Sequence, residues 1–107
     1  MRSSARFLTL VAAAAFGACA RPDMHNVLMN EATSHSVEGR WDVAYERMGK
    51  VIANDEADPS TAPERLAEDY AILGAWAGMN CRFEDAERHM QRSYDYFVRA
   101  KSGNEYI

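Results

Sequence analysis

Three histidines, two cysteines and several adjacent carboxylates are the side chains of this 107-residue chain whose types could support chemistry. His25 and His35 stand ten residues apart on one predicted helix. That separates them by about 15 Å along its axis, too far to hold one ion together. None of His25, His35 and His89 falls in an H-E-x-x-H or comparable ligand spacing, so the pattern points to solvated or capping histidines, with no metal site and no other cofactor. Carboxylates neighbour one another at Glu68-Asp69, at Glu84-Asp85 and in the acidic run Asn54-Asp55-Glu56-Ala57-Asp58. A carboxyl becomes a general acid at neutral pH when an apolar pocket raises its pKa, and no spacing here marks such a pocket. Glu84-Asp85 suits the first turn of a helix, where negative charge meets the positive end of the macrodipole. Glu68-Asp69 reads as a solvated mid-helix pair. No G-x-S-x-G, S-x-x-K or phosphate-cradling glycine loop is present. The expectation is a chain without catalytic residues, and not an enzyme.

Cys19 stands apart because of what precedes it. Arg2 and Arg6 come before an apolar run from Phe7 to Ala18 that ends in Phe16-Gly17-Ala18-Cys19. A positive start, a short apolar stretch and small residues at its end are the layout of an export signal. About twelve residues at roughly 1.5 Å each reach only ~18 Å, short of a ~30 Å hydrocarbon core, so the run does not span a membrane. Its end resembles the lipobox of bacterial lipoproteins, in which small residues precede a cysteine that is lipidated and becomes the new N-terminus. Phe16 departs from the Leu that is usual there. The resemblance implies a signal peptide over residues 1–18 and a mature chain, 19–107, held in the bacterial cell envelope by a lipid such as palmitate on Cys19. With Ala20 next, it implies the outer membrane, facing the periplasm. Ala18-Cys19-Ala20 is also an A-x-A pattern, and cleavage after Ala20 gives a soluble periplasmic protein instead. Either route leaves Cys81 without a partner in the chain, and the expectation for it is a small buried hydrophobe.

Loss of Arg2 and Arg6 takes twelve basic residues to ten against sixteen acidic ones, a mature charge of −6 with His neutral. No basic stripe remains, which excludes phosphate-driven binding of nucleic acid. No sustained period-two alternation or Asn-Gly hairpin signal appears, whereas helical periodicity recurs four times. Asp23 caps a helix over about Met24–Glu38, with Val27, Leu28, Ala32 and Val37 inward. Gly39-Arg40 ends it. Trp41, Ala44, Met48, Val51 and Ile52 form the stripe of a second helix over about Trp41–Ala53, followed by an acidic loop. Thr61 and Glu64 read as a capping box for a third helix reaching about Met79, with Leu66, Tyr70, Leu73, Gly74 and Ala77 on one face. The fourth, about Phe83–Lys101, turns Phe83, Ala86, Met90 and Phe97 inward.

The helices repeat. Gly39-x-Trp41-x-x-Ala44-x-x-x-Met48 aligns with Cys81-x-Phe83-x-x-Ala86-x-x-x-Met90. On these residues, and on Tyr70-x-x-Leu73-Gly74, the chain resembles a tetratricopeptide repeat protein. Cys81 stands where that family has Gly, Ala77 where it has an aromatic, and Glu31 and His35 where it has apolar residues. The repeats are offset by 42 residues instead of about 34, the excess falling in the acidic loop. The fold implied is all-α, two antiparallel helical hairpins stacked as a short array after the signal segment. The function implied is an envelope-anchored adaptor that binds protein partners during assembly of a pilus, secretion, polysaccharide-export or outer-membrane complex. A small four-helix inhibitor or immunity-type protein, and a periplasmic enzyme or metal binder, are the competing readings. Trp76 and Tyr96 fall off the principal inward faces, and Tyr94, Phe97 and Tyr106 lie on a last helix and tail that no further helix covers. Those five are the expected interface, for a partner or for self-association.

Overall fold

The computed structural model describes residues 23–105, with side chains through Ser102. The signal segment, Cys19 and Tyr106 lie outside the described residues. Four helices make up the fold: α1 (Met24–Val37), α2 (Trp41–Ala57), α3 (Pro63–Met79) and α4 (Phe83–Glu105). Among the described residues there is no strand, and the fold is all-α. Each helix packs on its neighbours in sequence, α1 on α2, α2 on α3 and α3 on α4, and no close backbone approach joins α1 to α4. The chain is thus two hairpins side by side and not a closed four-helix bundle. No described helix is long and apolar enough to cross a membrane.

The internal repeat is written most plainly in the two hairpin turns. At the end of α1, Gly39 N–H donates to Ser36 O (3.0 Å) and Arg40 N–H to His35 O (2.9 Å). At the end of α3, Cys81 N–H donates to Gly78 O (3.0 Å) and Arg82 N–H to Ala77 O (2.9 Å). Every partner is shifted by the same 42 residues. The paired bonds satisfy carbonyls that a helix end leaves open, and they require a left-handed residue between the helices. Gly39 (φ 76°) and Cys81 (φ 58°) occupy that position. Cys81 is exposed, contrary to the buried position expected for it.

The core gathers Ala32, Met48, Val51, Ile52 and Leu73, ringed by half-buried Leu28, Met29, Tyr45, Tyr70, Ile72 and Trp76. Val27 and Val37 face solvent instead of the core, so α1 buries Ala32 alone completely. Asp23 caps α1 as expected, its Oδ1 accepting from His25 N–H at 3.1 Å. The second helix continues four residues past Ala53, which makes Asn54–Ala57 helical and not loop. The Thr61–Glu64 capping box does not form: Ala62 is the N-cap and Pro63 opens α3, where its missing N–H leaves no helical bond unmade.

In the second hairpin the backbones approach closely at Gly74. A Cβ there would stand 3.1 Å from Met90 Cγ and 3.2 Å from the Ala86 carbonyl oxygen. Ala32, 42 residues earlier, is the fully buried counterpart in the first hairpin. Such an approach suits small residues on α4, and Ala86, Ser93 and Ala100, each seven apart, are less exposed than their large neighbours. Ser93 donates its hydroxyl to Ala67 O on α3 at 2.6 Å. Phe83 and Phe97, expected inside, lie largely exposed, whereas Met90 packs its side chain against Gly74 and stays partly open to solvent.

A left-handed backbone costs a non-glycine residue roughly 1–2 kcal/mol. Cys81→Gly removes an exposed side chain and relieves that cost, so it should raise stability by about 1 kcal/mol, or ~4–8 °C in Tm for a domain this size. Gly39→Ala, with nothing within 4 Å of the added Cβ, should lower Tm by a similar amount. Thermal melts followed by circular dichroism check both.

Candidate functional site

Two places in the fold gather side chains beyond what packing requires. The first lies where α1, α2 and α3 meet. His25, in the first turn of α1, points Nδ1 at Asp55 Oδ2 of α2 at 2.7 Å. Asp69 of α3 completes the group, and one ligand-type atom from each residue lies within 4.8 Å of the others. Asp55 and Asp69 are each only 2% exposed. This overturns the reading of Asp69 as solvated, of Asp55 as part of a loop and of His25 as solvated.

Two carboxyls this close inside a core do not both ionise readily. Burial, then the hydrogen bond with Asp55 and that neighbour's charge, push the Asp69 carboxyl up to about 8; Glu68 adds to the rise and Arg65 opposes it. Burial also pushes Asp55 up, but the hydrogen bonds from Asp69, His25 and Asn54 outweigh it and hold Asp55 below its usual range. At neutral pH the cluster is therefore an ionised Asp55 between two donors, the Asp69 carboxyl and the His25 ring. No N–H or hydroxyl among the described residues donates to the buried Asp69 Oδ2.

The second place is the outer face of the second hairpin. Glu64, Ala67, Glu68 and Ala71 of α3 form a groove with Met90, Ser93, Tyr94 and Phe97 of α4, about 590 Å³ in volume. Tyr94 is 61% exposed, and Phe97, Met90 and Val98 are also open to solvent. Of the expected interface residues, Tyr94 and Phe97 thus come together here. Tyr96 does not join them. It is half-buried on another flank of α4, stacked on Tyr70 with ring centroids 5.8 Å apart and covered by the guanidinium groups of Arg92 and Arg99. Trp76 is also elsewhere, packed on the core and tilted against Trp41 at 6.4 Å.

Polar contacts tie the helices between these places. Tyr45 O–H and His89 Nε2 pair at 2.9 Å across α2 and α4, and Tyr70 O–H donates to Glu56 Oε1 at 2.6 Å. Burial and then the Glu56 carboxylate push the Tyr70 hydroxyl up to about 12. Asn80 Nδ2 donates to Trp41 O (2.8 Å) and to Trp76 O (2.9 Å), joining the second turn to the start of α2. No known protein family, curated protein or solved structure matches this chain.

The cluster has a pH signature. A free Asp carboxyl titrates near 3.9, so between about pH 4 and pH 8 the folded chain keeps a proton on Asp69 that the unfolded chain has released. By linkage, stability falls as pH rises through that window. Asp55, shifted down, acts in the opposite direction and only below its unfolded value. In metal-free buffer, urea unfolding of the wild type should therefore weaken from pH 5 to pH 8, and Asp69→Asn should show a shallower slope and gain on the wild type toward high pH. Parallel profiles would contradict the assignment.

Proposed function

We propose that this chain is a small helical-hairpin interaction module of tetratricopeptide type that holds a partner protein of the bacterial envelope against the outer face of its last helix. The observation that carries the reading is the stripe of exposed apolar side chains on α4. Phe83 is 69% exposed, and Phe83, Met90 and Phe97 recur every seven residues with Tyr94 and Val98 beside them. Large apolar side chains in one continuous strip mark an interaction surface more often than scattered ones do. They lie at the seven-residue spacing that lets a helix seat against another helix or into a groove. The groove beside them carries Glu64 and Glu68 on its rim, which suits a partner segment bearing an apolar face flanked by Lys or Arg.

Two further features support the reading. The hairpins are arranged as successive units with matched turns, the pattern of a repeat array, in which each unit packs on its neighbours. The lipobox-like ending at Cys19 supports export and a lipid anchor at the outer membrane, so the partner is sought among envelope proteins or in a second copy of this chain. The open arrangement of α1–α4, with close backbone approach among the described residues only between helices adjacent in sequence, supports the adaptor reading over a closed-bundle inhibitor.

Tyr94→Asp combined with Phe97→Asp places charge on the stripe at exposed positions, so it should shift stability by no more than about 0.5–1 kcal/mol. A photo-crosslinking residue introduced at Tyr94 in intact cells should form a discrete adduct that is lost with Phe97→Asp. The same residue at Lys50, exposed on α2, should form none. Equal adducts at both positions, or none at Tyr94, would refute the proposal.

A further inference from the structure

The buried cluster at the junction of the hairpins offers one imidazole and two carboxyl groups from three different helices, and we infer that His25, Asp55 and Asp69 bind a divalent transition-metal ion of the zinc class. Ligand chemistry is the first ground. A neutral imidazole nitrogen with carboxylate oxygens is a donor set that Zn2+ accepts, with three protein ligands and a water completing a four-coordinate shell. Geometry is the second. Ligand atoms on a tetrahedral ion at about 2.0–2.1 Å stand about 3.3–3.4 Å from one another. Here the separations run from 2.7 Å at the His25–Asp55 edge to no more than 4.8 Å. Binding therefore opens the His25–Asp55 edge by about 0.6 Å and closes the widest edge by at most about 1.5 Å, adjustments within reach of side-chain rotation.

The third ground is burial. No N–H or hydroxyl among the described residues donates to the buried Asp69 Oδ2, and the two carboxyls meet in the core with only one ionised at neutral pH. A divalent cation among the three side chains offsets both carboxylate charges. Asp69 releases its proton to solvent on binding, and His25 carries its own on Nε2 while Nδ1 ligates. Asn54 Nδ2, 3.3 Å from Asp55 Oδ1, steadies the carboxylate from outside, as supporting hydrogen bonds do around metal ligands. Since α1 and α2 belong to the first hairpin and α3 to the second, the ion would clamp one hairpin to the other.

The test is metal-dependent stability of the full chain. After treatment with EDTA and removal of the chelator, Zn2+ in excess should raise Tm by about 5 °C or more, since a ligand bound only to the folded state stabilises it by mass action. Co2+ should give the intense visible ligand-field bands of a four-coordinate site at one ion per chain. Asp69→Asn keeps side-chain volume and removes the like charge, so it should fold without metal, as judged by its helical circular dichroism. It should lose the Zn2+ shift and weaken Co2+ binding by about tenfold or more. His25→Gln should do the same, whereas His35→Ala, remote from the cluster, should keep both. No Zn2+ shift and no Co2+ bands in the wild type would overturn the inference. So would a shift that survives undiminished in Asp69→Asn and His25→Gln.

Discussion

An ionised Asp55 sits in the interior of a very small domain, and the arrangement of three helices follows from the need to satisfy it. A buried carboxylate without partners costs several kcal/mol. Here the His25 ring at 2.7 Å and the Asp69 carboxyl supply the partners, and they come from the helices on either side. That requirement selects one rotation and one register of α1 and of α3 about α2. The demand falls hardest on α1, which buries Ala32 completely and little else. An apolar face so narrow specifies its docking weakly, and a directional polar contact supplies what packing does not. The cap at Asp23 sets the first turn of α1 and so aims His25 at its partner.

The second hairpin is built on a different principle. Gly74 lets the Ala86 carbonyl and Met90 approach α3 so closely that a Cβ would have to displace them, and small residues line that side of α4. Met90 reaches Gly74 with its side chain, while Phe83, Tyr94 and Phe97 of α4 stand on the flank of the contact. The exposed apolar strip of α4 is thus a by-product of tight packing between α3 and α4. The matched turns at Gly39 and Cys81 deliver both hairpins with the same chain reversal, while the joint between hairpins is held by Asn80, Tyr45–His89 and the buried cluster.

The four helices, the cap at Asp23 and the equivalence of Gly39-x-Trp41 with Cys81-x-Phe83 were legible in the sequence, because periodicity, capping and turn chemistry are local. Two things were not. Heptad-spaced Phe83, Met90 and Phe97 look like a core stripe, yet of the three only Met90 reaches the α3 backbone, at Gly74, and small residues fill the rest of that contact. The convergence of His25, Asp55 and Asp69 spans intervals of 30 and 14 residues, which no ligand-spacing rule anticipates. A trace of it was nonetheless present. Asp55 continues the stripe of Val51 and Ile52, and Asp69 lies three residues after Leu66 and four before Leu73. A carboxylate at a stripe position is the local sign of a buried polar group. It was obscured by the acidic run around Asp55 and by the adjacent Glu68.

Coupling between the hairpins through this cluster is open to direct measurement. His25 and Asp69 lie 44 residues apart and on different hairpins, so a double-mutant cycle with His25→Gln and Asp69→Asn, read by urea unfolding at neutral pH, isolates what the two share. Members of one hydrogen-bonded network interact by about 0.5–3 kcal/mol, whereas independent sites add within about 0.3–0.5 kcal/mol. A coupling energy of about 1 kcal/mol or more is the predicted result. Additive effects would contradict the claim that the buried cluster joins the two hairpins.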